Sequence, residues 1–263
     1  MTTRTYVASD SVTMLRRNLR RMTRYPVAPS VVIGIPVVLL LLFVYVFGET
    51  LGAGLGGLSA GRADYVNYVT PGIILIAIAS STQGTAITVA MDMNEGIIAR
   101  FKTMAIARAS VLNGHVLSNM IQIMLGLAVV IGASVLVGFR PTAGPIEWLS
   151  AVGLLTLIAL ALTWLSVAFG LVAKTVEGAS NLPMPLVLLP FLGSGFVPTE
   201  AVPTAMRLFA EYQPFTPMIE TLRGLLLGTP IGTSGILALG WSLAILVGGY
   251  LWAAKLYNRD PQP

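Results

Sequence analysis

The side chains able to do chemistry in this 263-residue chain are few, and most lie inside or beside long apolar runs. His115, Asn119 and Gln122 are spaced by four and then three, which puts an imidazole and two amides on one helix face. Such a face could relay a proton. The expected spans hold no acid to complete the relay, so helix packing or partner contact is the expected role. A second group, Ser80, Ser81, Thr82, Gln83 and Thr85, sits in the middle of an apolar run. Polar side chains at membrane depth either bond a neighbouring helix or line a pathway. The third group is the charged stretch from Asp92 to Asn113, DMNEGIIARFKTMAIARASVLN. There Ile97, Ile98, Phe101, Met104 and Ala105 recur at helical spacing among Arg100, Lys102 and Arg108. So polar an interlude has to lie outside a bilayer, where it is the largest surface a soluble partner could touch.

The absent chemistry narrows the reading further. There is no G-x-x-x-x-G-K-[ST], H-E-x-x-H or G-x-S-x-G, and one histidine cannot staff most hydrolytic sites. With no cysteine, disulfides, thiolate metal sites and cysteine nucleophiles are excluded. The chain is expected to catalyse nothing itself and to hold no metal or cofactor. It is 55% hydrophobic and 10% charged, with mean hydropathy +0.81, where soluble domains carry roughly 25% charge. This is the composition of an integral membrane protein. The net charge of +5 sits beside the spans rather than on an aromatic-studded surface, so nucleic acid is not an expected partner.

The elements that must position these groups are helices, and the expected fold class is all-α and membrane-embedded. Residues 1–26 hold six arginines, and from Ser11 the pattern is amphipathic, with Val12, Leu15, Leu19 and Met22 on one face and Pro26 as the stop. This is either an interfacial helix or a positive flank that sets orientation, and both readings keep the N-terminus cytoplasmic. Six spans are expected within a transmembrane domain of 27–254, at about 27–48, 68–91, 114–138, 148–173, 181–198 and 235–254. A glycine-rich loop, LGAGLGGLSAG, follows the first of them and has no phosphate-binding context. The fifth span carries Pro183, Pro185, Pro190 and Pro198 with Gly193 and Gly195, so its backbone must be re-satisfied by protein or water. That predicts a place inside the assembly rather than against lipid. Residues 199–233 are too charged for a span and read as two short helices that dip in and return. The last span ends near Lys255, with Tyr250, Trp252 and Tyr257 as interfacial anchors before a cytoplasmic tail, 255–263. In this topology four of the 16 Lys and Arg residues (Arg62, Arg140, Arg207 and Arg223) lie outside, a positive-inside bias with both termini cytoplasmic. No cleavable signal peptide is expected, since the first apolar run is too long and too delayed.

From Phe196 to Gly228 the chain reads FVPTEAVPTAMRLFAEYQPFTPMIETLRGLLLG. Its Phe196-Val197-Pro198 followed by Gln213, Pro214, Thr216, Pro217, Ile219, Glu220, Leu222, Arg223 and Gly224 resembles the C-terminal motif of ATP-binding-cassette (ABC) type-two export permeases, closest to the daunorubicin-resistance-like branch. Glu95, Gly96, Ile97, Arg100, Phe101, Met104, Ile106 and Arg108 resemble the same family's cytoplasmic motif, with Ala105 where a proline is common.

The resemblance implies a permease subunit that pairs with a second copy or a paralogue on two nucleotide-binding ATPase subunits. Those partners, not this chain, would bind ATP and Mg. Residues 1–26 would contain the elbow helix. Glu95, Gly96, Ile97, Arg100, Phe101, Met104 and Arg108 would form the coupling site, with 174–181 a lesser contact. The second and fifth spans would line the cavity through Ser80, Ser81, Gln83, Thr85, Met184 and Leu188. Phe196, Pro198, Pro214, Pro217, Glu220 and Arg223 would form the outer gate of a re-entrant hairpin. The implied activity is ATP-driven export of a hydrophobic or amphipathic drug or antibiotic across a bacterial cytoplasmic membrane, with closure of the ATPase subunits shifting the cavity from inward-open to outward-open. Lipid or glycolipid export is the alternative within the family. An ion-gradient-driven carrier, which would need an intramembrane charge, and a non-transporting scaffold are the alternatives outside it.

Overall fold

The computed structural model describes residues 27–55, 61–96, 108–199 and 203–257, and every regular element among them is helical. Helix α1 (Val27–Leu42) passes through a π-helical turn, Phe43–Phe47, into the short α2 (Gly48–Ala53). Next come α3 (Arg62–Asn94), α4 (Arg108–Val137) and α5 (Pro145–Val172). The short α6 (Val176–Asn181) and α7 (Met184–Leu188) precede a 3-10 turn, Leu189–Leu192. Helices α8 (Thr204–Tyr212), α9 (Phe215–Leu227) and α10 (Ser234–Tyr257) complete the chain. The expected helix within 1–26, the tail from 258 and coupling residues Ile97, Arg100, Phe101 and Met104 lie outside the described residues.

Among the described residues, five helices are long and apolar enough to cross a membrane: Ile33–Ala53, Arg62–Asn94, Leu112–Val137, Pro145–Val172 and Ser234–Tyr257. The chain is a multi-pass membrane protein. The span expected at 181–198 is not a regular helix. Its prolines split it into α7 and the 3-10 turn, because each removes an N–H donor and clashes with the preceding turn.

Helix α3 is the rod on which the rest is assembled. Its 33 residues reach about 50 Å at 1.5 Å per residue, so it overshoots a hydrocarbon core of roughly 30 Å. In its most apolar stretch 78% is buried, against 22% for the first and last spans. A helix apolar all round belongs in the interior, and α3 buries Ile73, Ile74, Leu75, Ile76 and Ile78 in succession. Close approach depends on small residues. A Cβ on Gly170 of α5 would stand 2.6 Å from the Ala86 carbonyl oxygen of α3. Gly249 lets α10 reach the backbone of Leu165 in the same way. Beside it Tyr250 meets Trp164 edge-on at 4.9 Å, and Trp252 meets Phe169 at 5.7 Å. Tyr250 and Trp252, read from sequence as interfacial anchors, here fasten α10 to α5, and Tyr257 is buried.

Candidate functional site

The polar residues of α3 divide between two faces. Ser81 and Thr85 point inward and are buried. The Ser81 hydroxyl donates to Asn119 Oδ1 at 3.4 Å, and Asn119 Nδ2 donates to Thr163 Oγ1 at 3.0 Å, so these groups join α3, α4 and α5. Gln122, one turn beyond Asn119, lines a cavity of about 10 Å³ with Ser81, Ile33 and Gly126, which is room for one water. Ser80, Gln83 and Thr88 lie on the other face and are only half-buried. A Cβ on Gly84 between them would meet nothing within 4 Å. This open strip runs beside α6 and α7, where Gln83 Nε2 donates to the Ser180 carbonyl at 2.7 Å. Met184 and Leu188 of α7 are 53% and 50% exposed. Of the residues read as cavity-lining, Ser80 and Gln83 are half-buried on one face of α3 and Met184 and Leu188 are exposed on α7, whereas Ser81 and Thr85 are buried between helices.

Of the residues read as the outer gate, Phe196 and Arg223 meet a shared cluster at the end of the broken segment. Where α7 and the 3-10 turn stop, carbonyls lose their helical donors and need others. Gln213 Nε2 donates to the Leu189 carbonyl at 3.1 Å, Arg223 Nη2 to that of Ser194 at 2.7 Å, and the Tyr65 hydroxyl to that of Phe196 at 3.3 Å. Arg223 Nη2 also donates to the Tyr68 carbonyl at 3.2 Å, and its guanidinium lies 3.9 Å over the Tyr68 ring. One cation thus ties α9 to α3 and to the broken segment. Gly72 and Gly195 admit this contact, since a Cβ on Gly72 would stand 2.7 Å from the Gly195 oxygen.

Around this staple, Phe196 is buried, with its ring 4.4 Å from Phe43 and stacked 4.6 Å from Phe191. Glu220 Oε2 accepts from the Ser234 hydroxyl at 2.8 Å and so holds α10. Pro198 and Pro214 are half-buried. Pro214 caps α9, and Pro217 falls in its first turn, where a missing N–H costs no helical bond. Tyr65, Tyr68 and Ser194 were not legible as part of this cluster. Tyr65 donates to the distant Phe196 carbonyl, while Tyr68 and Ser194 lend their own backbone carbonyls to Arg223, and no side-chain pattern reveals contacts made through carbonyls.

The histidine needs a correction. Asp92, placed by sequence in the segment outside the membrane, belongs to α3 and is 1% exposed. Its Oδ2 lies 3.1 Å from His115 Nε2, and His115 is also buried. The imidazole therefore does face an acid. The expectation failed because α3 continues to Asn94, about one turn past the apolar run, and carries the carboxylate with it. Of the expected coupling residues, Glu95 is exposed and caps α3, Gly96 stops it at φ 68, and Arg108 opens α4. A glycine is suited to that stop because it takes positive φ without a Cβ clash.

A family model described as ABC-2 type transporter matches residues 10–227. Over 228 residues the chain is 26% identical to "Daunorubicin resistance ABC transporter permease protein DrrB1" of Streptomyces coeruleorubidus, covering 86% of this chain and 78% of that one. Over 235 residues it is 27% identical to "Probable doxorubicin resistance ABC transporter permease protein DrrC" of Mycobacterium tuberculosis, covering 89% and 84%. A family match through nearly every span, on a helical core with a proline-broken segment stapled to its central rod, makes this chain a member of the ABC-2 type transporter family, a membrane permease subunit that works with separate ABC ATPase subunits.

Proposed function

We propose that this chain is one half of the membrane pathway of an ATP-driven exporter of hydrophobic or amphipathic compounds, drugs or antibiotics among them. The observation that carries this is the open strip of α3. In its largely buried apolar stretch the rod leaves Ser80, Gln83 and Thr88 half-buried on one face, and the neighbouring α7 leaves Met184 and Leu188 exposed. A mostly apolar wall with a few hydroxyls and an amide suits an amphipathic cargo. The daunorubicin and doxorubicin named for the relatives are consistent with it.

In this reading a second copy or a paralogue faces the strip and closes a cavity. The broken segment serves as the sixth crossing, and α8 and α9 form the re-entrant outer gate. Both termini face the cytoplasm of a bacterial cell. ATP and Mg bind the partner subunits, which dock on residues 95–108. The buried Asp92–His115 contact is the kind of titratable group that a gradient-driven carrier would need. Asp92 lies two residues from the end of α3, one turn beyond Thr88, and pairs with His115 on the buried side that faces α4, beside the expected ATPase contact.

The test reconstitutes the chain with its ATPase subunit and follows ATP-dependent extrusion of an amphipathic dye. Wild type should extrude dye and co-purify with the ATPase. Arg100→Ala with Phe101→Ala should reduce the co-purified ATPase about tenfold, about 1.4 kcal/mol of docking energy, with the permease still inserted. Extrusion driven by a proton gradient without any ATPase would overturn the proposal. Gln83→Leu removes a hydrogen bond worth about 1 kcal/mol and a polar group from the strip. Competition between dyes of different polarity should then shift severalfold toward the less polar one while ATPase docking is unchanged. Unaltered competition would assign Gln83 to helix contact alone.

A further inference from the structure

Helices α3 and α4 converge where the first ends at Asn94 and the second begins at Arg108, and a buried contact joins them close to those ends. Asp92 is 1% exposed and His115 is 3% exposed, with Oδ2 and Nε2 3.1 Å apart. Leu112 and Val116, on either side of His115, are buried in an apolar cluster with Val89 of α3 and Trp164 of α5. A carboxylate and an imidazole in such surroundings give up hydration, and their mutual contact offsets that loss only in good geometry. Further along the α3–α4 interface the link is between neutral groups, Ser81 and Asn119. Packing alone would hold the two helices more cheaply. An acid–imidazole contact adds a directional link that resists sliding and separation.

We propose that Asp92 and His115 form a clamp that positions the cytoplasmic ends of α3 and α4, so that force from the ATPase moves α3 as a rod instead of prying the two helices apart. This rests on the exporter reading above. Helix α3 is suited to the task. It carries the open strip, holds α6 through Gln83 and Ser180, and is bound to the outer gate through Arg223 and the Tyr68 carbonyl. Displacement of its clamped end reaches cavity and gate together. With the clamp broken, the ATPase still docks and hydrolyses ATP, but part of the stroke is lost in separating α3 from α4. Asp92 and His115 act through α3 and are positioning residues, not cargo ligands.

The experiment measures ATP hydrolysis and dye extrusion together in proteoliposomes of the complete permease–ATPase complex and takes their ratio. Asp92→Asn should lower the dye extruded per ATP about tenfold, with hydrolysis within twofold of wild type. Exchanging the partners, Asp92→His with His115→Asp, should return the ratio to within about threefold of wild type. A purely structural pair would reduce the amount of complex, and with it hydrolysis and extrusion in step, leaving the ratio unchanged; that result overturns the proposal. So does an exchanged pair no better than Asp92→Asn. Should Asp92→Asn fail to assemble, the same ratio is read on His115→Gln and His115→Leu. The donor-bearing Gln should retain the ratio and Leu should lose it, and equal ratios would sink the clamp. Absence of ATP-dependent extrusion by wild type would instead defeat the exporter reading, which separates the two failures.

Discussion

Arg223→Leu should loosen the end of the molecule where α9 meets α3 and the broken segment by about 2–4 kcal/mol. Arg223 makes two charge-assisted hydrogen bonds, to the Ser194 and Tyr68 carbonyls, each worth about 1.5–3 kcal/mol. Its stacking on the Tyr68 ring adds about 0.5–2 kcal/mol. Relief from burying a cation offsets part of that sum. The Ser194 carbonyl suffers most, because it lies past the end of the 3-10 turn and has no helical donor to fall back on. Thermal unfolding of the purified protein should show the loss, and reconstituted export should fall with it. Arg223→Lys keeps the charge but cannot present a planar fork to two carbonyls while lying flat on an aromatic face, so it should recover only a minor part. A leucine variant with wild-type stability and export would show that the staple is dispensable.

Gly72→Val should be as damaging for a steric reason. A Cβ there would stand 2.7 Å from the Gly195 oxygen, 2.9 Å from its Cα and 3.0 Å from its carbonyl carbon. All three are backbone atoms, so no side chain can turn aside. The helix and the broken segment must separate, which costs about 3 kcal/mol or more. Separation also lengthens the reach of Arg223 from α9 to Ser194, so the two sites should couple when combined. Gly84→Val is the internal control. It lies on the same helix but opens on space, so a Cβ there meets nothing. The measurement is the yield of folded, monodisperse protein in detergent. Equal yields for the two valine variants would contradict the close approach of Gly72 and Gly195.

The sequence by itself determined that this is a helical membrane chain. Apolar runs of spanning length cannot be anything else in water, and each is long enough to satisfy its backbone internally. It also marked 181–198 as a stretch with broken backbone bonding, because proline has no N–H to give, although the same stretch reads as a span. The family was legible too, since the C-terminal motif Gln213–Gly224 is dense in unusual residues. The division of the α3 polar cluster was not legible. Ser80, Ser81, Gln83 and Thr85 are alike in sequence, and only the placement of α4 and α6 decides that Ser81 bonds Asn119 while Gln83 borders the open strip. Nor could local pattern pair Asp92 with His115, 23 residues on, or Arg223 with the carbonyls of Tyr68 and Ser194. Periodicity records which side of a helix avoids water. Which polar group meets which depends on the separation, rotation and ends of packed helices, and only the tertiary structure sets those.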